Sequence, residues 1–296
     1  MAVELPLDQV RTLLAVVDEG TFDAAAAALH VTPSAVSQRV KALEQRTGRV
    51  LLQRTKPVRP TESGEVLVRF ARQLARLERD ARGELGLSGA GEPTRVSVAV
   101  NADSLATWFL RALGGLSHVY VELRREDEDH TAALLREGLV MAAVTSSPDA
   151  VPGCSVRALG RMRYLPVAAP EFAAAHVTGA LPEALAEAPV IVFDRVDDFQ
   201  DGFVRRLGGA GASALRHHVP TSEGFVDAVT AGLGWGMVPE PQAEPRLREG
   251  RLVRLGGREL WVDLPLYWQQ WKLDSPALGV VAEAVLRTAA GALRQP

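Results

Sequence analysis

The chain has 296 residues, 47% hydrophobic and 23% charged, with a net charge of -3; this is the composition of an ordinary folded protein, long enough for two domains. Its single cysteine, Cys154, excludes an intramolecular disulfide and a cysteine-based metal cluster, and no run of about 18 uninterrupted apolar residues offers a membrane span. No charged start leads into an apolar run, so a cytoplasmic location is expected. The mild net charge hides a local excess: Arg39 to Arg59 holds seven cations against one anion, Glu44, whereas residues 1–29 carry only Arg11 against five acids. A basic patch on a mildly acidic chain suits a polyanionic partner on one surface only.

The first helix is predicted from Leu7 to Glu19, with Val10, Leu13, Leu14 and Val17 on one face and Gly20 at its end. A short helix from about Phe22 to Leu29 is almost all alanine, and small side chains let a neighbouring helix approach closely. Thr32 is a natural N-cap and Pro33 suits a first helical position, so a third helix starts there and stops near Thr47 and Gly48. Val36, Val40 and Leu43 recur at helical spacing and point inward. With Thr32 at its start, Ser34, Ser37, Gln38, Arg39 and Lys41 form the solvent face, which suits the major groove of DNA. Gln pairs bidentately with adenine, and Arg or Lys with guanine. A plain helical hairpin with a solvated polar face is the alternative. The next segment favours DNA: Val50 to Arg54 is extended, and Thr55 to Pro60 (TKPVRP) reads as a wing, where Arg54, Lys56 and Arg59 meet phosphate.

Thr61 caps a long helix over residues 61–86, in which Gly64 weakens only the first turn. Leu67, Phe70, Leu74, Leu77, Ala81 and Leu85 alternate steps of three and four, a coiled-coil seam to be covered by a second copy or by the chain's own domain. Arg69, Arg72, Arg76, Arg79 and Arg82 lie off that seam. A Gly/Ser/Pro hinge occupies residues 87–93. Beyond it, strands at Arg95–Val100, Val119–Arg124 and Leu139–Val144 alternate with helices at Ala102–Leu113 and Thr131–Glu137, a βαβαβ pattern that points to a parallel sheet wrapped by helices. Further strands are predicted near Tyr164–Ala168, Val190–Phe193, His217–Val219, within GLGWGMVPE (Gly232 to Glu240) and at Leu264–Trp268. Helices follow Pro170 and span Pro182–Ala188, Phe199–Leu207, Glu223–Ala231 and Leu278–Leu293.

Enzyme motifs fail on inspection. GLSGAG lacks the final glycine of a nucleophile elbow and follows no strand, and GGAGA has no Lys-Ser or Lys-Thr pair for a phosphate loop. His217 and His218 have no partners at metal-ligand spacing, and Cys154 lies in a Pro-Gly turn without a base nearby. No catalytic residue, metal or cofactor is expected. Ligands of open α/β sheets bind beyond the carboxyl ends of the strands. Those ends read Asn101 to Ser104 (with Asp103), Glu126 to Asp129 (with Asp127), Thr145 to Ser147 (with Ser146), Asp194 with Asp197 and Asp198, and Thr221 to Glu223 (with Ser222). Hydroxyls and helix N-termini suit a carboxylate, and the acids suit a cation, so a small zwitterion with an extra positive charge satisfies both. The alternative is that these acids merely cap helices and face water.

The residues Thr21 to Gly48 (TFDAAAAALHVTPSAVSQRVKALEQRTG), with LLQRT and PTESG after them, resemble the winged helix-turn-helix of LysR-type transcriptional regulators. The resemblance covers essentially the whole chain. It implies a DNA-binding domain at 1–60, a dimerising linker helix at 61–86, and a two-lobed, periplasmic-binding-protein-like (type II) α/β effector domain at 94–296. Lobe I is expected at 94–163 and 266–296, and lobe II at 164–265. NADSLATWFL, EDEDHT, AAVTSSP, GLGWGMVPE and LYWQQW resemble the LysG/ArgP branch. That branch implies a sensor of lysine, arginine or histidine that controls an amino-acid exporter gene, a homodimer or homotetramer on a double-stranded DNA operator, and contact with RNA polymerase. On this reading Asn101, Ser104, Thr145 and Ser222 meet the α-carboxylate and α-amine, and Asp127, Asp194 and Glu223 meet the cationic end. The competing functions are a LysR-type regulator for another metabolite and a cytoplasmic small-molecule binding protein without a DNA role. An anionic effector would call for arginines at the strand ends.

Overall fold

The computed structural model of the protein describes residues 4–85, 87, 94–126 and 128–295. The predicted hinge lies outside the described residues apart from Leu87, and so does Asp127. The N-terminal module comprises α1 (Leu7–Glu19), α2 (Phe22–Ala28) and α3 (Pro33–Thr47), then the antiparallel pair β1 (Leu52–Gln53) and β2 (Arg59–Pro60), and the linker helix α4 (Glu62–Glu84). Each of α2, α3 and α4 begins at a threonine whose hydroxyl accepts a backbone N–H three residues on: Thr21, Thr32 and Thr61. The buried faces of α1 and α3, with Ala25 and Ala26 of α2, form one core, which Leu51, Leu52 and Val58 of the wing and Leu67, Val68 and Ala71 of α4 complete.

Gly64 does more than weaken a turn. A Cβ there would lie 2.0 Å from the Leu51 carbonyl oxygen and 3.2 Å from Pro60 Cβ, so glycine lets the wing lie directly on α4. The predicted linker seam is divided. Leu67 is buried in the N-terminal core, whereas Phe70, Leu77 and Leu85 are exposed in the single chain.

The C-terminal domain opens with β3 (Thr94–Val100), then α5 (Ala102–Ser104), which continues through a π-helical stretch (Leu105–Phe109) into α6 (Leu110–Leu113). Next come β4 (Val119–Arg125), α7 (Glu128–Glu137), β5 (Ala142–Thr145) and the long β6 (Cys154–Ala168). Lobe II then runs through α8 (Pro170–His176), α9 (Leu181–Glu187), β7 (Val190–Val192), α10 (Phe199–Arg206), β8 (Arg216–His218), α11 (Ser222–Thr230), β9 (Gly236–Pro239), α12 (Glu240–Arg248) and β10 (Val253–Arg254). The chain returns on β11 (Val262–Trp271) and ends with α13 (Pro276–Ala292).

The main sheet is mixed rather than parallel. β3 pairs in parallel with β4 and β5, but β11 runs antiparallel to both β5 and β6, and β9 and β10 run antiparallel to the second half of β6. The reason is topological: β6 leaves the first lobe and β11 returns to it alongside, so they must run in opposite directions. Residues 154–163, unassigned from sequence, form the first two-thirds of β6, so Cys154 opens a strand and does not sit in a turn. Burial pushes its thiol up to about 11, which makes it inert at neutral pH. Helix α12 was also unforeseen; Pro241 falls in its first turn, where the missing N–H costs nothing, although Pro245 lies further inside. One core joins Val96, Val98 and Val100 of β3 to Trp268 and Trp235, and a smaller one packs Leu165 and Val167 of β6 against Val226 and Val229. Among the described residues no helix is long and apolar enough to cross a membrane.

Candidate functional site

Two surfaces gather the residues singled out by sequence. The first lies between α3 and the wing. Val36, Val40 and Leu43 pack inward, so Ser34, Ser37, Gln38 and Lys41 stand exposed on the opposite face of α3. Thr32 Oγ1 accepts the Ala35 N–H at 3.2 Å and lies 3.0 Å from Ser34 Oγ. Val58 N donates to Gly20 O at 2.8 Å, and this pins the wing against the end of α1. Arg54, Lys56 and Arg59 are all exposed on the wing. Ser37, Gln38 and Lys41 face Arg54 and Lys56 across an open groove of about 490 Å³. Arg39 departs from this set: its Nε lies 3.8 Å from Asp8 Oδ2 of α1, a loose surface pair that a phosphate can readily replace.

The second surface is a cavity of about 350 Å³ between the two lobes. Asn101 and Asp103 reach it from the end of β3, Tyr164 and Leu264 from the crossing strands, and Asp194 and Ser222 from lobe II. Asn101 caps α5, its Oδ1 accepting the Ser104 N–H at 3.2 Å. Asp103 is the centre of the site. Its Oδ2 accepts the Tyr164 hydroxyl at 2.7 Å and its Oδ1 accepts the Ser222 hydroxyl at 2.6 Å, so one carboxylate ties both lobes together. Burial raises the Asp103 pKa above the ordinary carboxylate value; the two hydroxyls oppose that rise, and Asp197 and Glu223 add to it.

The far wall is the loop between β7 and α10. Asp194 Oδ1 accepts the N–H groups of Val196 and Asp197, at 2.8 and 3.0 Å. Asp197 accepts those of Phe193 and Phe199, at 2.7 and 3.0 Å. Burial pushes Asp197 upward in spite of those two donors, and Asp194 adds to the rise. Gln200 donates to Ile191 O at 3.0 Å, and its buried Oε1 has no partner among the described residues. Phe193, Phe199 and Phe225 supply apolar walls. Four aspartates line the cavity (Asp103, Asp194, Asp197 and Asp198), and none of its described lining residues is Arg, Lys or His.

Of the residues predicted for the effector, the structure brings together Asn101, Asp103, Asp194 and Ser222. Ser104 is buried behind Asn101. Thr145 is buried at the end of β5, where it accepts the Ser147 N–H at 3.2 Å, and Ser146 is half-buried beside it. Glu223 points outward from the first turn of α11. None of these four lines the cavity. Sequence reasoning missed Tyr164 and Gln200. Tyr164 stood at the start of a predicted strand, where nothing local tells a tyrosine that enters a cavity from one that packs within the sheet. Gln200 stood inside a predicted helix and looked like any other polar helical residue.

The first 60-odd residues and the rest of the chain match separate family models: "Bacterial regulatory helix-turn-helix protein, lysR family" over residues 7–65 and "LysR substrate binding domain" over residues 89–290. The HTH-type transcriptional regulator LysG of Mycobacterium tuberculosis is 49% identical over 287 residues, covering 97% of this chain and 94% of that protein. The lysine export transcriptional regulatory protein LysG of Corynebacterium glutamicum is 43% identical over 294 residues, covering 97% and 98%. The solved full-length LysG of Corynebacterium glutamicum with bound effector Arg superimposes with a TM-score of 0.85 at 43% identity, covering 98% of this chain and 100% of that one. With both halves matched and the relatives aligned nearly end to end, this chain belongs to the LysR family of DNA-binding transcriptional regulators.

Proposed function

We propose that this regulator senses a basic amino acid in the cleft around Asp103 and controls transcription of an amino-acid exporter gene. The observation that carries the reading is the charge of the cleft: four aspartates without a basic residue among the described lining suit a cation and repel an organic anion. Asp103 with Asp194 and Asp197 receives the ligand's amine and cationic end. The amide of Asn101 serves as a donor to the α-carboxylate, joined by the hydroxyl of Ser222, the first residue of α11, once the ligand's amine takes the place of that hydroxyl on Asp103. The relative that holds arginine and the relatives named for lysine export support the same class of ligand and target gene. Calorimetry with L-lysine, L-arginine, L-histidine and L-glutamate tests it. Heat is expected with at least one basic amino acid and none with glutamate; silence with all three basic ones discards the reading.

The division into a DNA-binding module (1–60), a linker (61–86) and an effector domain (94–296) follows from the same proposal. The chain acts in the cytoplasm as a homodimer or homotetramer on duplex DNA and there engages RNA polymerase. Phe70, Leu77 and Leu85 are exposed along α4 and are apolar, which supports a second copy lying against that helix.

On DNA, α3 enters the major groove and the wing tracks the adjoining backbone. Gln38→Ala is expected to weaken operator binding by roughly 1–3 kcal/mol while leaving binding to random DNA nearly intact. Equal losses on both, measured by fluorescence anisotropy, would remove Gln38 from base readout. Lys56→Ala should weaken both about equally and lower the slope of log K against log salt by about one phosphate contact. An unchanged salt slope would place Lys56 away from the backbone.

A further inference from the structure

Three arginines on one face of α4 hold the linker helix to lobe I of the same chain. Arg69, Arg72 and Arg76 are spaced i, i+3, i+7 and so share that face, turned away from the apolar stripe. Arg69 Nη1 donates to the Arg136 carbonyl at 3.3 Å, and Arg72 Nη1 donates to the Glu137 carbonyl. Both acceptors are terminal carbonyls of α7, where cations also complement the helix dipole. Gly138, just past that end, has φ +74°, and a Cβ there would come within 3.2 Å of Arg69 Cα and 3.3 Å of Arg72 Cδ. A side chain at residue 138 would therefore be strained by that φ and would press on α4, and glycine lets the helix end rest closely on the α4 backbone.

Arg76 is only 3% exposed. It pairs with Asp80 at 2.9 Å, donates to the Arg95 carbonyl near the start of β3, and lies 3.5 Å from Ser275 Oγ at the start of α13. A guanidinium this deeply buried is tolerable only with its donors satisfied, as they are here. The same strand that Arg76 holds at Arg95 ends at Val100, next to Asn101 and Asp103 of the cleft. On the opposite side Arg72 Nη2 reaches Asp18 Oδ1 of α1 at 2.6 Å, and Arg11 pairs with Glu78 at 2.8 Å. Arg72 therefore touches the DNA-binding module and lobe I at once.

We propose that Arg69, Arg72 and Arg76 form a clamp that makes α4 and lobe I move as one body and so carries an effector-driven movement of lobe I to the DNA-binding module, with Arg72 as the junction. The geometry is particular to lobe I: apart from Asp18 of α1 and Asp80 of α4 itself, the clamp's acceptors lie on α7, on β3 and at the start of α13, all in the lobe that presents Asp103. None of the three arginines faces the cleft or the α3 groove, so their removal separates transmission from both binding events. The functional part of this claim rests on reading the cleft as an effector site. The physical part, that lobe I is fastened to α4, does not.

The test uses the full chain carrying Arg72→Met, and separately Gly138→Ala, which presses on the same contact from the other side. L-arginine binding is read by calorimetry, operator binding by anisotropy with and without L-arginine, and local opening by hydrogen exchange. In both variants arginine heat and arginine-free operator affinity should stay within about twofold of the parent, as expected for distant sites. The arginine-dependent change in operator affinity, on the order of 5–150-fold for coupled sites, should collapse to within about twofold of unity. Amides at the end of α7 should exchange at least about tenfold faster as the clamp opens. A variant that keeps the parent's arginine-dependent change overturns the proposal, as does a parent that binds arginine with no change at the operator. If the parent gives no arginine heat, the effector reading has failed instead; exchange then decides whether the clamp exists, and unchanged protection in Arg72→Met sinks it.

Discussion

Asp103→Asn is expected to weaken binding of the basic amino acid by about 2–5 kcal/mol, or roughly 30- to several-thousand-fold, because it leaves a desolvated ligand cation without its partner charge. The same substitution should leave the fold intact. Asparagine is nearly isosteric, and its Oδ1 can still accept from the Tyr164 or Ser222 hydroxyl. Burial raises the Asp103 pKa, so in the ligand-free protein the folded state holds that proton more tightly than the unfolded chain does. Stability therefore falls as pH rises from the ordinary carboxylate value through the raised one, and once that range is passed the burial of the carboxylate is a cost to the fold. Asp103→Asn removes that cost, so its melting temperature at pH 7 should equal or exceed the parent's while ligand binding is lost. A cationic ligand acts in the opposite direction by pulling the carboxyl down. Binding near the titration range should thus release a proton, and affinity should climb with pH and level off once Asp103 is ionised without help. Calorimetry in buffers of different ionisation enthalpy reads that proton directly. Undiminished affinity in Asp103→Asn would move the cation to Asp194 and Asp197.

Gly64→Ala is expected to destabilise the N-terminal module by about 1–3 kcal/mol or more, the usual cost of forcing extra volume into packed structure. Helix propensity alone gives the opposite sign, since alanine is favoured over glycine by about 1 kcal/mol inside a helix. The structure decides between them through one distance: the new methyl group would sit 2.0 Å from the Leu51 carbonyl oxygen, which is backbone and cannot rotate aside. Either α4 or the wing must shift. The wing carries Arg54, Lys56 and Arg59, so operator affinity should drop along with the melting temperature of the module. A variant that melts higher than the parent would show that the wing does not rest on Gly64 in solution.

The helices of the DNA-binding module were legible almost to the residue. Thr32 with Pro33 marked the start of α3, Gly20 and Gly48 marked two ends, and the spacing of Val36, Val40 and Leu43 fixed which face is buried. Each of these signals acts within a turn or two of the chain, where a capping hydroxyl, a fixed φ or a positive φ has the same consequence in any protein. The effector domain was legible as alternating strands and helices, and the strands of its first βαβαβ run do pair in parallel, but the antiparallel half of the sheet was not foreseen. Nothing near Cys154 announces a strand that runs through to Ala168 and finds β11 more than a hundred residues later.

Sequence by itself determined the caps, the apolar stripes, the basic run from Arg39 to Arg59 and the acidic character of the strand ends, because each depends on neighbours already adjacent in the chain. Only the tertiary structure decided which strand ends meet. Ser222 comes to Asp103 from 119 residues away and Tyr164 from 61, and their hydrogen bonds exist because β6 and β11 cross side by side and close one lobe over the other. The same crossing leaves Thr145 and Glu223 out of the cavity, although their residue types matched those that entered it. Local chemistry selects what a residue is able to bind; the path of the chain through space sets what is within reach.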